Sequence, residues 1–176
     1  MERTGVITFK GGPLTLIGPQ LKTGDQAPDF TVIGEGLKPV KLSDFKGQTV
    51  VISSVPSLDT PVCEIQTKRF NQEAARLNAK ILTISMDLPF AQKRFCDAHK
   101  IQNVVCLSDY KDRQFGTGWG LLIKELGLLA RAVFVVNPDG KIGHAQIVKE
   151  VAQEPDYNSA LQSLNKSSKA PAAAAR

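Results

Sequence analysis

The sequence predicts an α/β protein with a mixed central sheet flanked by helices. In the middle of the chain, apolar runs of strand length alternate with segments of helical periodicity, a pattern typical of parallel strands joined by crossover helices. Toward the C-terminus, two strand-like runs flank Pro138-Asp139-Gly140, which is typical of an antiparallel hairpin. A parallel centre with an antiparallel end indicates a mixed sheet.

The first part of the chain contributes two short strand pairs. Val6–Phe9 and Leu14–Ile17 are β-prone runs on either side of a glycine-rich turn, and they predict an N-terminal β-hairpin. Asp29–Gly34 and Pro39–Leu42 predict a second pair of strands. Residues 43–47 then predict a short helical turn that ends in glycine.

The central segment carries the strongest periodicity in the sequence. Three buried strands alternate with two helices, and each helix opens with a proline, which the first helical position tolerates because no hydrogen bond is lost there. We expect Asp87 to be the N-cap of the second helix. The predicted elements are, in order, Thr49–Val55, Pro61–Leu77, Lys80–Ser85, Pro89–Lys100 and Asn103–Leu107.

The C-terminal part adds two antiparallel strands and a helix. Ala132–Asn137 and Lys141–Val148 form the predicted hairpin, and Asp156–Leu164 has the pattern of a closing helix. Lys166–Arg176 is alanine-rich and of low complexity, so we expect a frayed, disordered tail. Residues 1–165 therefore form one predicted domain.

Composition and charge are those of an ordinary globular protein, with 42% hydrophobic and 22% charged residues. The net charge of +5 falls to +2 when Lys166, Lys169 and Arg176 of the tail are left out. The sequence has no basic stripe of the kind that would predict nucleic-acid binding. Met1–Lys10 contains no long apolar stretch, so we expect neither a signal peptide nor a membrane span. A cytoplasmic protein with reduced cysteines is the resulting expectation.

Cys63 stands at a corner between a predicted strand and a predicted helix. Thr60 is the expected N-cap, with its side-chain oxygen accepting from an early helical N–H, and Pro61 takes the first helical position. The unpaired N–H groups and the positive end of the helix dipole favour a thiolate over a thiol at such a place. We therefore expect Cys63 to be partly exposed and reactive, although a free cysteine is more often a small buried apolar residue.

A reactive thiolate that displaces a leaving group requires partners, because negative charge grows on the departing atom. Thr60 offers a hydroxyl one helical turn from Cys63. Arg131, at the start of the strand Ala132–Asn137, is the best-placed candidate cation, with an ordinary surface arginine as the alternative.

Two further cysteines could take part in such chemistry. Cys96 lies seven residues past Pro89, which places it about 10 Å along its helix. A disulfide requires Cα atoms about 4.4–6.8 Å apart, so we expect that Cys63 and Cys96 can join only if a helix unwinds locally. Cys106 has the pattern of a buried apolar filler, and a three-cysteine metal site is disfavoured because no close C-x₂₋₄-C pair exists.

Four segments of the sequence resemble a known family. Pro56, Thr60 and Cys63 match the P-x-x-x-T-x-x-C motif of peroxiredoxins. The resemblance is narrower to the bacterial thiol peroxidase subfamily of atypical two-cysteine peroxiredoxins, and it covers nearly the whole chain except the tail. It is carried by SVPSLDTPVCEIQTKRFN (Ser54–Asn71), DLPFAQKRFC (Asp87–Cys96), LARAVFVV (Leu129–Val136) and EPDYNSAL (Glu154–Leu161).

The resemblance implies a thioredoxin-like fold with an N-terminal hairpin extension and a thiol-dependent hydroperoxide reductase. Cys63 matches the peroxidatic cysteine and Cys96 the resolving cysteine of the same chain. Thr60 matches the threonine that hydrogen-bonds peroxide and thiolate, Pro56 the proline that shields the site, and Arg131 the arginine that holds the thiolate and binds peroxide oxygen. A homodimer recycled by thioredoxin, without cofactor or metal, is implied as well.

Two alternatives stay open. A peroxide sensor that passes its disulfide to a regulatory partner would use the same cysteines. A thioredoxin-like binding module without activity would leave the arrangement of Thr60, Pro61 and Cys63 unexplained.

Overall fold

A computed structural model of the chain describes residues 1–169; the remainder of the predicted tail, residues 170–176, lies outside the described residues. The strands are β1 (Glu2–Phe9), β2 (Gly12–Ile17), β3 (Thr31–Ile33), β4 (Pro39–Lys41), β5 (Val50–Ser54), β6 (Lys80–Ser85), β7 (Val105–Ser108), β8 (Leu122–Ile123), β9 (Ala132–Val136) and β10 (Ile142–Ile147). The α-helices are α1 (Pro61–Ala74), α2 (Pro89–His99), α3 (Gln114–Gly118) and α4 (Tyr157–Lys169). Two short 3₁₀ helices span Glu35–Leu37 and Leu42–Phe45.

Seven strands of the described residues form one mixed sheet in the order β10-β9-β5-β6-β7-β3-β4. β5, β6 and β7 run parallel, as the alternation of strands and helices predicts, while β9 pairs antiparallel with β5 and carries β10 on its outer side. On the other side, β3 pairs antiparallel with β7 and with the edge strand β4. The hairpin β1-β2 forms a separate small sheet with β8. The predicted mixed sheet and N-terminal hairpin are thereby confirmed.

The two faces of the sheet are covered differently, because side chains of a strand alternate between faces. One face presents Val51, Ile81 and Val133 to a cluster that contains apolar side chains of α1, α2 and α4. The opposite face presents Ile52 and Phe134 to a larger cluster. This second cluster is completed by the N-terminal hairpin and the region of the short helix α3, so the three longer helices share one side.

The starts of α1 and α2 agree with the sequence prediction, whereas the cap of α2 and the end of α4 differ from it. α1 and α2 begin at Pro61 and Pro89 as predicted, with proline in the first turn. The N-cap of α2 is Leu88, so the prediction of Asp87 as its cap is wrong; the Asp87 carboxylate bonds instead to groups before α1 and at the end of β6. α4 continues to Lys169, past its predicted end and into the segment predicted to be frayed. None of the described helices is long and apolar enough to cross a membrane.

Candidate active site

Cys63 lies in the first turn of α1, directly beyond the carboxyl end of β5. Thr60 is the N-cap residue and has extended backbone angles, and Pro61 starts the helix. The Cys63 side chain is fully buried, with 0% exposure, so the expectation of a partly exposed cysteine is wrong. The reason is a small apolar cluster around this corner, formed by Val55, Leu58 and Cys63 with Phe95 and Cys106 packed against them.

Arg131 is brought to Cys63 by the pairing of β9 with β5. Ala132 lies opposite Ser54 in that pair, so the preceding Arg131 stands at the end of β5 where the chain turns into α1. Its Nη2 donates a hydrogen bond to Cys63 Sγ at 3.3 Å, and the whole side chain is only 2% exposed. A buried positive charge therefore lies within hydrogen-bond distance of the sulfur, and opposite charges attract strongly away from water.

The remaining donors of Arg131 are held by two acceptors. Nη1 donates to Gln66 Oε1 at 2.9 Å, and Nε donates to the Val151 carbonyl at 2.8 Å. Gln66 is itself fully buried, and its Nε2 donates to Ser53 Oγ at 2.7 Å. The guanidinium is therefore fixed in one orientation with a nitrogen pointing at the sulfur. Sequence reasoning missed Gln66, although its position three residues after Cys63 places both on one face of α1.

Thr60 and Pro56 belong to the loop between β5 and α1. The Thr60 hydroxyl donates to the Ser57 carbonyl at 3.1 Å and makes no capping bond to the helix, so its predicted capping interaction is wrong. The extended loop directs the hydroxyl back toward its own turn, which leaves its oxygen lone pairs free of a helical N–H. Pro56 is buried in the same loop.

Asp87 connects the two strand-to-helix loops of the site. Its carboxylate accepts from Ser57 Oγ at 2.8 Å, from Leu58 N at 2.7 Å and from Ser85 Oγ at 2.8 Å. The loop that carries Thr60 before α1 is thereby bonded to the loop that precedes α2. The sequence predicted Asp87 as a helix cap, whereas in the structure its carboxylate holds the loop before α1.

Cys96 and Cys106 lie beside each other, with their sulfur atoms 3.1 Å apart, and all three cysteines are free thiols. Cys106 is the more deeply enclosed of the two. The hydrogen bond between the two sulfurs lowers the pKa of Cys96, and the same hydrogen bond, together with burial, raises the pKa of Cys106 well above its usual value. Cys106 is accordingly more than the apolar filler that the sequence predicts.

Cys96 occupies the last turn of α2, where the helix ends in an unusual way. Lys100 follows the helix with a φ of 55°, in the left-handed region that favours glycine. The backbone N–H groups of Lys100 and Ile101 both donate to the Cys96 carbonyl. The end of α2 that carries Cys96 is therefore closed by a residue under conformational strain.

No group of three or more His, Cys, Asp or Glu side chains among residues 1–169 is arranged to hold a metal ion.

Comparison with known proteins identifies the family. The redoxin family model matches residues 22–161. Over 161 residues the chain is 55% identical to the thiol peroxidase of Oceanobacillus iheyensis. The matched region covers 91% of this chain and 98% of that protein. It is 52% identical over 157 residues to the thiol peroxidase of Bacillus subtilis, covering 89% and 94% of the two chains. The chain belongs to the thiol peroxidase family.

Solved structures agree with this membership. A peroxiredoxin-like protein from Aquifex aeolicus superimposes with a TM-score of 0.87 at 43% identity, covering 93% of this chain and 96% of the other. A thiol peroxidase from Chromobacterium violaceum has a TM-score of 0.81 at 18% identity, a likeness that concerns the fold alone. The predicted family, the thioredoxin-like fold class and the enzyme class of a peroxiredoxin-type peroxidase are thereby confirmed.

Proposed function

We propose that this thiol peroxidase reduces hydroperoxides with Cys63, joins Cys63 to Cys96 in one chain, and is recycled by thioredoxin. The observation that carries the proposal is the hydrogen bond from the buried Arg131 guanidinium to Cys63 Sγ at 3.3 Å. Because Gln66 and Val151 hold the other guanidinium nitrogens, the positive charge is already oriented before a substrate arrives.

In the first step the Cys63 thiolate attacks one oxygen of the hydroperoxide, and the oxygen–oxygen bond breaks. The second oxygen leaves with the electron pair and takes up a proton to become water or an alcohol, while Cys63 becomes a sulfenic acid. Arg131 is placed to stabilise the negative charge as it passes from sulfur to the departing oxygen. Thr60 supplies a hydroxyl to the same space, and the buried Pro56 helps to exclude water.

A cleft beside the site offers a route for the substrate. Its lining includes Leu58 and Phe95, which also pack in the cluster around Cys63, together with polar groups such as Arg94 and Asp87. A small rearrangement of these two apolar side chains would open the buried sulfur to this cleft. A cleft with both apolar and polar groups in its lining suits organic hydroperoxides as well as hydrogen peroxide.

In the second step the Cys96 thiol condenses with the Cys63 sulfenic acid, releasing water and forming a disulfide. Cys96 packs against one apolar cluster and Cys63 belongs to another, although Phe95 contacts both. We expect α2 to open locally at the turn that carries Cys96 when the two sulfurs join. The dithiol of thioredoxin then reduces the disulfide by thiol exchange. As part of the same proposal, the enzyme acts as a cytoplasmic homodimer, and light scattering would measure its mass in solution.

Turnover of single-cysteine variants tests this cycle. Cys63→Ser should consume no hydroperoxide, while its thermal unfolding reports that the fold is retained. Cys96→Ser should consume about one equivalent and then stop with thioredoxin present, leaving a sulfenic acid that a 1,3-diketone traps on Cys63. Turnover of Cys96→Ser with thioredoxin at the unmodified rate would show that Cys96 is not the resolving cysteine.

A further inference from the structure

Cys106 has no part in the cycle proposed above, yet it contacts the surroundings of both cysteines of that cycle. Its sulfur is 3.1 Å from Cys96 Sγ. Its side chain also packs against the apolar cluster that encloses Cys63. Cys106 therefore contacts both the Cys96 sulfur and the apolar cluster of Cys63, and all three cysteines are free thiols.

We propose that Cys106 is a third catalytic cysteine, which attacks Cys96 in the Cys63–Cys96 disulfide, forms a Cys96–Cys106 disulfide and releases Cys63 as a thiolate. This step rests on the proposed function, because the Cys63–Cys96 disulfide is its substrate. After this step Cys63 is reduced again, and the disulfide joins α2 to β7.

The step is a balanced thiol–disulfide exchange. Cys106 loses its proton to solvent, and its sulfur electron pair forms the new bond to Cys96. The bond between Cys96 and Cys63 breaks, and Cys63 departs with the electron pair. No oxidant or reductant is consumed. Arg131, which donates to Cys63 Sγ in the folded site, stabilises the departing thiolate, and a stabilised thiolate is a better leaving group.

The folded structure determines the direction of the exchange. The Cys63–Cys96 disulfide exists only while a helix is locally opened, and that opening costs free energy for as long as the bond lasts. The Cys96–Cys106 disulfide requires the two sulfurs to approach from 3.1 Å to about 2.05 Å, with α2 in place. Refolding of α2 therefore drives the disulfide from Cys63 to Cys106.

A buried glutamine keeps α2 aligned with β7 for this step. Gln92 lies one turn before Cys96, and its Nε2 donates to the Leu107 carbonyl at 2.7 Å and to Ser85 Oγ at 3.0 Å. These bonds fix the helix against the strand that carries Cys106. The hydrogen bond between the two thiols, which lowers the pKa of Cys96, shows that their sulfurs already face each other.

The relay predicts a second reaction with peroxide before any reductant acts. Cys63, once released, can attack another hydroperoxide. With Cys96 already bonded to Cys106, the second sulfenic acid has no resolving thiol. Without reductant, the reduced protein should therefore consume about two equivalents of hydroperoxide, and Cys106→Ser about one.

Peptide mapping after one equivalent of hydroperoxide tests the relay. The fully reduced protein is quenched with acid at successive times, free thiols are alkylated, and disulfide-linked peptides are quantified. Cleavage after lysine and arginine separates the three cysteines, which fall in residues 47–68, 95–100 and 101–111. The Cys63–Cys96 link should appear first, then decay as Cys96–Cys106 rises to about a tenfold excess, with Cys63 alkylated again.

Two variants make the result specific. In Cys63→Ser, one equivalent should leave Cys96 and Cys106 alkylated, because the pair is oxidised only through Cys63; rapid linkage there would overturn the relay. Cys106→Ser keeps a hydroxyl that can donate to Cys96 but cannot form a disulfide, so the Cys63–Cys96 link should persist. Val105→Ala, which removes apolar atoms from the same strand, is a packing control and should retain the exchange.

The two proposals fail in different ways. If the unmodified protein holds only the Cys63–Cys96 link at all times, with Cys106 fully alkylated, the relay is overturned and the cycle stands. If Cys106→Ser forms no Cys63–Cys96 link, the proposed cycle itself is wrong.

Discussion

Replacing Gln66 with glutamate tests whether Arg131 governs Cys63 through its charge. Gln66 is fully buried, accepts from Arg131 Nη1 at 2.9 Å and donates to Ser53 Oγ at 2.7 Å. Glutamate has nearly the same shape, can accept the same bond from Arg131, and can accept from the Ser53 hydroxyl instead of donating to it. The substitution therefore preserves packing and hydrogen bonding while adding one negative charge beside the guanidinium.

The added carboxylate opposes the charge of the Cys63 thiolate. The two groups contact different nitrogens of one guanidinium, so they stand roughly 6 Å apart, which at an effective dielectric constant of about 20 gives a repulsion of about 3 kcal/mol. A repulsion of that size, acting on the sulfur and on the departing oxygen, corresponds to a factor of about a hundred in rate. The single-turnover rate of Gln66→Glu should fall by about this factor.

Single-turnover consumption of hydroperoxide, measured at one neutral pH, reports this fall in rate. Gln66→Met is the matched control, because it fills similar volume and removes the hydrogen bond without adding charge. It should lose about 1–3 kcal/mol of unfolding free energy through the unpaired guanidinium nitrogen, and its rate should stay well above that of Gln66→Glu. A folded Gln66→Glu variant that reacts at the unmodified rate would refute electrostatic control of Cys63 by Arg131.

Three further outcomes follow from other parts of the structure. Thr60→Val keeps the side-chain shape without the hydroxyl, and its single-turnover rate should fall about tenfold or more; an unchanged rate would exclude the hydroxyl from the reaction. Burial raises the pKa of Asp109 to about 6, so stability present at acidic pH is lost as the pH rises through that value. Relative to Asp109→Asn, the protein should lose about 3 kcal/mol between about pH 4 and 7 in denaturant unfolding, and a pH-independent difference would contradict this. Lys100→Gly relieves the left-handed backbone at the end of α2, so it should stabilise the fold by about 1 kcal/mol and slow formation of the Cys63–Cys96 disulfide about fivefold; faster formation would refute a need for α2 to open.

The elements with the strongest local signals were predicted closely from the sequence. β6 has the predicted bounds Lys80–Ser85, and Pro61 and Pro89 mark the first residues of their helices. Such signals act over neighbouring residues, since a proline fixes its own backbone angle and removes its own donor. The C-terminal limits were less accurate, because α1 ends at Ala74 and α4 at Lys169, and tertiary packing decides where a helix stops.

Within the site, the sequence predicted which residues lie near Cys63 in the chain, but it did not predict how their side chains are oriented. The sequence placed Thr60 at the N-cap, yet which way its hydroxyl points depends on the Ser57 carbonyl of the same loop. Aspartate is a residue type that often caps helices, but the Asp87 carboxylate accepts hydrogen bonds from two groups before α1 and from one at the end of β6. The contact of Cys96 with Cys106 depends on how closely α2 packs on β7. Hydrophobic periodicity does not predict that spacing.

The two ends of α2 are built for different tasks, and this division connects the cycle with the relay. At the beginning of the helix, Gln92 is bonded to β6 and β7, and Asp87 fixes the preceding loop. At the other end, the turn that carries Cys96 is closed by Lys100 in a conformation that costs a lysine about 1–2 kcal/mol. Opening can therefore be confined to the last turn, which lets Cys96 leave Cys106 to meet the sulfenic acid and then return. The anchored beginning of the helix ensures that this return brings Cys96 back to the same sulfur, so a single hinge would serve both disulfides.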